Sequence, residues 1–185
     1  IPQMRAIAIR ASHAPAVAVI EDHVIVPPGW ARAMLDALGT DNDVVAGAVE
    51  NAATQTLTDW AAFLCEYSAA LPPLPSGPAE GVPGNNTIYR RAALDRFDAV
   101  LDEGKWENRL HDAMKAVGIK LILRPDIVVG HKMHYSFGLY LSQRFLYSRS
   151  YAGAMAAGMS PVQKLARGGA ALVLLPPLML WRTIS

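Results

Sequence analysis

The pattern of apolar and polar positions along the chain predicts alternating helices and strands. Apolar residues spaced three and four apart, which form one face of an α-helix, occur in residues 3–12, 30–38, 57–70 and 107–117. Apolar runs typical of buried strands occur in residues 17–20, 44–49, 120–123 and 127–129. The order of these elements favours an α/β fold, with a sheet flanked by helices.

Two acids and a histidine interrupt the first apolar strand. Glu21, Asp22 and His23 follow residues 17–20, and apolar residues resume at 24–26 before a proline pair ends the segment. Buried carboxylates are costly unless a cation or hydrogen-bond donors meet them. Since ligands of open α/β sheets bind at the carboxyl ends of strands, this segment predicts a metal or polar-ligand site.

A proline-rich loop leads into a pair of asparagines. Residues 71–83 contain five prolines and two glycines, a composition that excludes the interior of a helix or strand. We interpret this segment as a lid or an acceptor-side loop, because Gly84, Asn85 and Asn86 follow it and amides can hydrogen-bond the hydroxyls of a sugar. The alternative from the residues alone is a turn before a helix, capped by Asn86 or Thr87.

A carboxylate lies at the first turn of the helix predicted over residues 107–117. The buried positions of this helix would be Leu110, Met114 and Val117. Glu107 lies on the same face, where the helix N-terminus favours its ionised form and burial beside Trp106 favours its neutral form. From the residues alone, an acid that only complements the helix dipole fits this pattern equally well.

Three segments, in this order, resemble glycosyltransferase family 2, whose catalytic domain has the GT-A fold. The first, AVIEDHVIVPPGW at 18–30, resembles the strand with the acidic, DXD-like metal motif. The second, PGNNTIYRRAAL at 83–94, resembles the donor- and acceptor-site loop. The third, WENRLHDAMKAVG at 106–118, resembles the catalytic helix, and IVVGH at 127–131 follows it as in the family. The resemblance spans approximately residues 3–150.

The resemblance implies a fold, a reaction and a set of partners. Residues 1–134 would form a partial GT-A-like mixed sheet flanked by helices, and the nucleotide-binding strands that precede the acidic strand in the family would be missing. The protein would be an inverting, metal-dependent transferase that moves a sugar from a nucleotide-sugar donor to a glycan or lipid-linked acceptor. Nucleic acid is not an expected partner.

The resemblance also assigns roles to individual residues. The metal ligands would be Asp22, His131 and His23, the donor-binding residues Glu21, Gly84, Asn85, Asn86 and Trp106, and the catalytic base Glu107. The cofactor would be Mn²⁺ or Mg²⁺. His23 replaces the family's commoner third acid; imidazole ligates Mg²⁺ poorly, which favours Mn²⁺ or places His23 outside the first coordination shell. Asp112 and Asp102 are the next candidates for the base.

Two other functions agree with parts of the sequence. A metal hydrolase would combine His131 and His134 with Asp22 or His23, although Gly130 favours a loop over the shared helix face that a zinc pair uses. This hypothesis leaves residues 83–87 unexplained. The second alternative is a non-catalytic membrane-peripheral module, or an inactive fragment of a transferase.

Charge is distributed unevenly along the chain. Residues 1–126 contain all 16 acids and 11 of the 17 bases, a net charge of −5, whereas residues 127–185 contain six bases and no acid. The second part, a helical tail over 135–185, is therefore predicted to face an anionic surface such as phospholipid. The alternative is a few solvated bases on helices.

The apolar stretch at 168–181 predicts association with a membrane without crossing it. Its 14 residues fall short of the roughly 20 that a spanning helix needs, and Pro176 and Pro177 interrupt it. Trp181 and Arg182 at its end favour an interfacial or re-entrant segment, with a buried hairpin as the alternative.

A single cysteine indicates the compartment. Cys65 has no second cysteine with which to form an intrachain disulfide, which is typical of a reducing environment, and its apolar neighbours predict a core position. The expected location is the cytoplasm, at the cytoplasmic face of a membrane.

Overall fold

The computed structural model describes residues 2–184, which divide into two compact units. The first ends at Tyr135 and contains a mixed sheet flanked by helices, and the second begins at Ser136 and is helical. The predicted α/β class is confirmed, as is the helical character of the C-terminal part. The finer likeness to a GT-A fold stays a prediction.

Six strands form one sheet in the described part of the chain. They are β1 (Ala16–Ile20), β2 (Val24–Ile25), β3 (Val44–Asn51), β4 (Gly77–Ala79), β5 (Asn86–Arg90) and β6 (Leu121–His131). Their order is β1-β5-β3-β6-β2, and β4 pairs with the first residues of β6. Because β5 is antiparallel to both β1 and β3, and β3 is parallel to β6, the carboxyl ends of β1, β3 and β6 share one edge.

Four of the helices described in the first unit lie where the apolar spacing predicts them, with differences at their ends, and two short helices lie outside the predicted ranges. The helices are α1 (Pro2–Ala11), α2 (Trp30–Leu38), α3 (Leu57–Tyr67), α4 (Arg91–Leu94), α5 (Asp98–Asp102) and α6 (Glu107–Ala116). Short 3₁₀ turns extend α3 and α4 over Ser68–Ala70 and Asp95–Phe97. Thr56 caps α3 because its hydroxyl accepts from the Asp59 amide while the Asp59 carboxylate accepts from the Thr56 amide.

Asn86 ties the centre of the sheet together. Its side-chain nitrogen donates to Ala48 O and Ile127 O, each at 2.9 Å, and its oxygen accepts from the indole nitrogen of Trp30 at 2.9 Å. Gly47 makes room for this amide, since a Cβ there would lie 2.2 Å from the Asn86 nitrogen. The absence of a side chain at Gly47 thus permits the close approach of the Asn86 amide and of the Ile127 carbonyl oxygen.

The last strand of the sheet differs from its prediction. Two short strands were expected around Arg124 and Pro125, but β6 is one strand with an irregularity opposite Gly47 and Ala48. Gly47 pairs with Arg124 and Ala48 with Val128, so residues 125–127 form a bulge. Proline has no amide hydrogen to donate to a ladder, and the bulge accommodates it without ending the strand.

Several predicted core positions are exposed. β1 lies at the edge of the sheet, beside β5. Ile20 is therefore exposed and Val19 half-buried, where a fully buried strand was expected. Cys65 is exposed rather than in the core, because α3 buries Ala62 and Phe63 instead. Val117 is also exposed, since it lies just beyond the end of α6.

Two segments without a predicted helix or strand contain regular structure. The proline-rich loop over 71–83 includes β4, which pairs with β6 through residues 121–123. Residues 98–105, for which the apolar spacing predicts no element, contain α5, one helical turn that continues directly from the preceding 3₁₀ turn.

The second unit consists of α7 (Phe137–Met155) and α8 (Pro161–Ile184). The prediction that Pro176 and Pro177 interrupt the apolar stretch is wrong, because α8 continues through both. The fixed φ of proline is compatible with a helix, and the helix loses the two backbone hydrogen bonds that these residues cannot donate. Within the described residues, no helix combines the length and the apolar character needed to span a bilayer.

Candidate metal and substrate site

One edge of the sheet gathers polar residues that are far apart in the sequence. Glu21 follows β1, His131 ends β6, and Asn85 precedes β5, whose amino end lies at the same edge. Val24 of β2 pairs with His131 of β6, and this pairing brings His23 beside His131. The site thus lies where α/β sheets bind their ligands.

Three side chains converge as a possible metal-binding group, which we call the Glu-His-His cluster: Glu21, His23 and His131. The Nε2 atoms of the two histidines are 2.9 Å apart. Oε2 of Glu21 lies 3.4 Å from the His23 Nε2 and 3.7 Å from the His131 Nε2. One ligand atom from each residue therefore points toward a common centre.

Asp22 orients the imidazole of His23. Its Oδ1 lies 2.8 Å from the His23 Nδ1, and this hydrogen bond holds the pKa of the Asp22 carboxyl below its usual range. When Nδ1 carries the hydrogen, the neutral ring keeps its lone pair on Nε2, which faces the cluster. Asp22 thus contacts the ring of His23 on the side away from Nε2.

Burial keeps His131 in the form that binds metals. The residue is 4 % exposed, and burial, assisted by His23 and opposed by Glu21, lowers the pKa of His131 to about 4. The imidazole is therefore neutral at neutral pH. Only a neutral imidazole has a lone pair to give to a cation.

Glu21 is held by three donors. Its Oε1 accepts from Arg5 Nη2 at 3.4 Å, while its Oε2 accepts from the Tyr67 hydroxyl and from Asn85 Nδ2, each at 3.1 Å. Burial and the neighbouring Glu21 carboxylate raise the pKa of Tyr67, so the hydroxyl remains a donor. These contacts fix the carboxylate with Oε2 toward the histidines.

The residues of the cluster fit a divalent transition metal. Two imidazoles and one carboxylate suit Mn²⁺ or Zn²⁺ better than Mg²⁺, which prefers an all-oxygen shell. Asn85 supports this fit, because its Oδ1 is buried and has no hydrogen-bond partner among residues 2–184. A buried acceptor of this kind is satisfied by a cation or by a donor from a ligand. Such a cluster alone does not specify a metal.

Glu107 lies beside the same group of residues. Its Oε1 is in direct contact with Nη1 of Arg5, whose Nη2 reaches Glu21. Gly84 packs against the other side, since a Cβ there would lie 2.8 Å from the Glu107 Oε2. Trp106, the residue before α6, lines a small cavity together with Arg5 and Glu107.

Two of the residues predicted from the sequence have other positions. A turn closed by Val24 N–H donating to Glu21 O places Asp22 at its tip, where the side chain is 98 % exposed. Asp22 therefore contributes no atom to the Glu-His-His cluster, and Glu21 lies in the position that was expected for Asp22. Asn86 has no exposed surface to offer a sugar, since its side-chain nitrogen donates to backbone oxygens of β3 and β6 and its oxygen accepts from Trp30 of α2.

The residues named as alternatives, His134 for a hydrolase and Asp102 and Asp112 for the base, lie outside the Glu-His-His cluster. His134 hydrogen-bonds Asp59 at 3.3 Å rather than joining His131, which removes it from the hydrolase constellation. Asp102 pairs with Arg10 at 2.7 Å and Asp112 with Lys115 at 3.4 Å. Neither acid contacts the Glu-His-His cluster.

Sequence reasoning missed Arg5 and Tyr67. Arg5 is one base on a short amphipathic helix, and no spacing connects it with acids that follow 16 and 102 residues later. Tyr67 lies in the segment 57–70, where the apolar spacing predicts a helix and gives no sign of a polar contact. Buried acids such as Glu21 and Glu107 need a positively charged partner, and this need is the signal that points to Arg5.

No protein-family model and no curated protein matches the chain. The resemblance of residues 18–131 to glycosyltransferase family 2 therefore stays a prediction from the sequence motifs.

Proposed function

We propose that the protein is a metal-dependent inverting glycosyltransferase that uses a nucleotide-sugar donor. One observation carries the proposal: the three segments that resemble family 2 meet at one edge of the sheet. Asn85 of the second segment donates to Glu21 of the first, and Gly84 packs against Glu107 of the third. Arg5 joins the two acids a second time.

The Glu-His-His cluster would hold the cation, and Asn85, whose Nδ2 donates to Glu21, has in Oδ1 a buried oxygen without a partner among residues 2–184. A bound divalent cation would neutralise the diphosphate that leaves the sugar. Glu21 and the neutral imidazole of His131 supply the ligand atoms, and Asp22 keeps the His23 lone pair aimed inward. Mn²⁺ is the cation we expect for this mixed nitrogen and oxygen shell.

Glu107 would act as the general base. The acceptor hydroxyl loses its proton to Glu107 as its oxygen bonds to the anomeric carbon, while the bond from that carbon to the diphosphate breaks and the diphosphate takes the electron pair. Attack opposite to the leaving group inverts the configuration. Glu107 lies at the N-terminus of α6 and against Arg5, so two positive partners support the carboxylate.

The direct test is release of nucleoside diphosphate. The protein, expressed from its complete coding sequence, is incubated with a panel of nucleotide-sugars and Mn²⁺, and the anomeric configuration of the product is read by NMR. We expect release from one class of donor, dependent on Mn²⁺, abolished by EDTA, and giving an inverted product. Absence of release from every donor, or a retained configuration, contradicts the proposal.

A metal hydrolase is the second candidate, favoured by the ligand set itself. Two histidines and a glutamate are a combination that catalytic zinc sites use, with a water in the open position. Zn²⁺-dependent hydrolysis of esters or amides without any nucleotide would support this function and not the transferase.

We also propose that the second unit binds an anionic membrane surface. The side chains of Leu172, Val173, Leu174, Leu175, Leu178 and Trp181 are more than half exposed on α8. Lys164 and Arg167 lie at the beginning of the same helix, and residues 127–185 contain no acid. Apolar side chains next to bases are typical of helices that lie in the interface of anionic bilayers.

Flotation with liposomes tests the membrane proposal. Binding to vesicles with anionic phospholipid is expected to fall several-fold at high salt, because screening weakens attraction between charges. The paired substitution Lys164→Glu and Arg167→Glu should reduce binding likewise, with vesicles of neutral phosphatidylcholine as the control. Protein that stays unbound under both salt conditions contradicts the proposal. Binding to lipid without binding to any donor supports a non-catalytic module.

A further inference from the structure

Arg5 is the residue that connects the two acids of the site. It lies in α1, with 17 % of its side chain exposed, and its guanidinium contacts Glu21 through Nη2 and Glu107 through Nη1. The two acids are 86 positions apart in the sequence and lie on different elements. One planar group therefore spans the metal-binding carboxylate and the carboxylate at the start of α6.

The geometry of arginine suits this task better than lysine does. A guanidinium presents its nitrogens in a rigid fork, so two carboxylates bound to different nitrogens are held at a fixed separation. Arg5 binds Oε1 of Glu21 and leaves Oε2, the atom nearest the two histidines, to the cluster. The contact thus orients Glu21 without using the oxygen that faces the cation site.

From this geometry we propose that Arg5 is a positioning residue that sets the distance between the cation site and Glu107. The role of Glu107 in this inference rests on the proposed function. The expected effect of Arg5 on cation binding does not depend on that function. Arg5 acts in two ways that oppose each other. Its positive charge repels a divalent cation bound at Glu21, while its fork holds Glu107 where the base must be.

The opposing effects give the substitution Arg5→Gln a distinctive signature. Removal of one positive charge near the cation site should tighten Mn²⁺ binding by about three- to tenfold, because like charges at short range repel even near a protein surface. Turnover should fall by about 10- to 100-fold, with little change in the KM for the donor, since a small displacement of the base costs rate rather than binding.

Two variants serve as controls. Arg5→Lys keeps the charge and loses the fork, so Mn²⁺ affinity should stay close to wild type while turnover falls. Arg10→Gln removes a base from the same helix that pairs instead with Asp98 and Asp102, and it should change neither quantity. Circular dichroism checks that each variant keeps its helices.

The experiment is calorimetric titration of each variant with Mn²⁺ alone, followed by steady-state turnover with the donor. Tighter Mn²⁺ binding together with slower turnover in Arg5→Gln supports the proposal. Weaker Mn²⁺ binding in that variant overturns it, because a purely structural contact would loosen the site. Unchanged turnover also overturns it. If the wild-type protein binds Mn²⁺ but transfers no sugar, the proposed function fails, while the titration still measures the repulsion by Arg5.

Discussion

Replacement of Glu107 by glutamine is expected to lower turnover by about 10²–10⁴-fold, the usual cost of removing a general base. The amide keeps the volume of the side chain and its place beside Gly84, but it cannot accept the proton of the acceptor hydroxyl. Glu107 does not contact the Glu-His-His cluster directly, and Arg5 stands between them. The affinities for the donor and for Mn²⁺ should therefore change little.

The measurement is steady-state kinetics of the complete protein with the donor identified in the release assay. Asp112→Asn is the matched control, because Asp112 lies on the same helix and is exposed beside Lys115. It should leave turnover near wild type. If Glu107→Gln retains full turnover, the base is a different residue and the transferase mechanism given above is incorrect.

The elements of the fold that carry a local signal could be predicted from the sequence, whereas β4 and α5 could not. Apolar spacing identifies α1, α2, α3 and α6, and apolar runs identify β3 and the two halves of β6. What the spacing does not contain is which face meets a neighbour. Cys65 lies among apolar residues of α3 and is exposed, because α3 packs through Ala62 and Phe63. Burial of a given position depends on long-range packing.

The candidate site was predictable as a set of segments but not as a set of contacts. The acidic segment, the asparagine loop and the helix with Glu107 carry recognisable patterns. A turn that is closed by one backbone hydrogen bond places Glu21, and not Asp22, in the Glu-His-His cluster. Glu21 and Asp22 both carry a carboxylate, and the side chains of adjacent residues point in different directions. The sequence alone therefore does not tell which of the two faces the histidines.

Asn86 illustrates the same limit. It was predicted to contact a sugar, because amides next to a glycine fit that chemistry. Both asparagines are buried, but Asn85 Oδ1 has no hydrogen-bond partner among residues 2–184, whereas the side-chain nitrogen and oxygen of Asn86 are both bonded. In an extended segment successive side chains point to opposite sides, and the choice between the two asparagines depends on the register with β1.

Replacement of Glu21 by glutamine is expected to weaken Mn²⁺ binding by at least about 100-fold, whereas Asp22→Asn should weaken it by about tenfold or less. Both substitutions remove one negative charge and conserve volume, and the residues are adjacent, which makes them a matched pair. Glu21 offers Oε2 directly to the cation site. Asp22 acts through the Nδ1 of His23, and an asparagine oxygen can still accept that hydrogen bond.

Calorimetric titration of the two variants with Mn²⁺, in the absence of any nucleotide, distinguishes a direct ligand from a residue that acts indirectly. His131→Ala should resemble Glu21→Gln, since it removes a buried neutral ligand. The variant with the larger loss of Mn²⁺ affinity identifies the acid that binds the cation directly. A larger loss in Asp22→Asn would mean that the turn reorients on binding and that Asp22 is the ligand after all. Equal losses would mean that charge alone, and not the position of one oxygen, determines the affinity of the site.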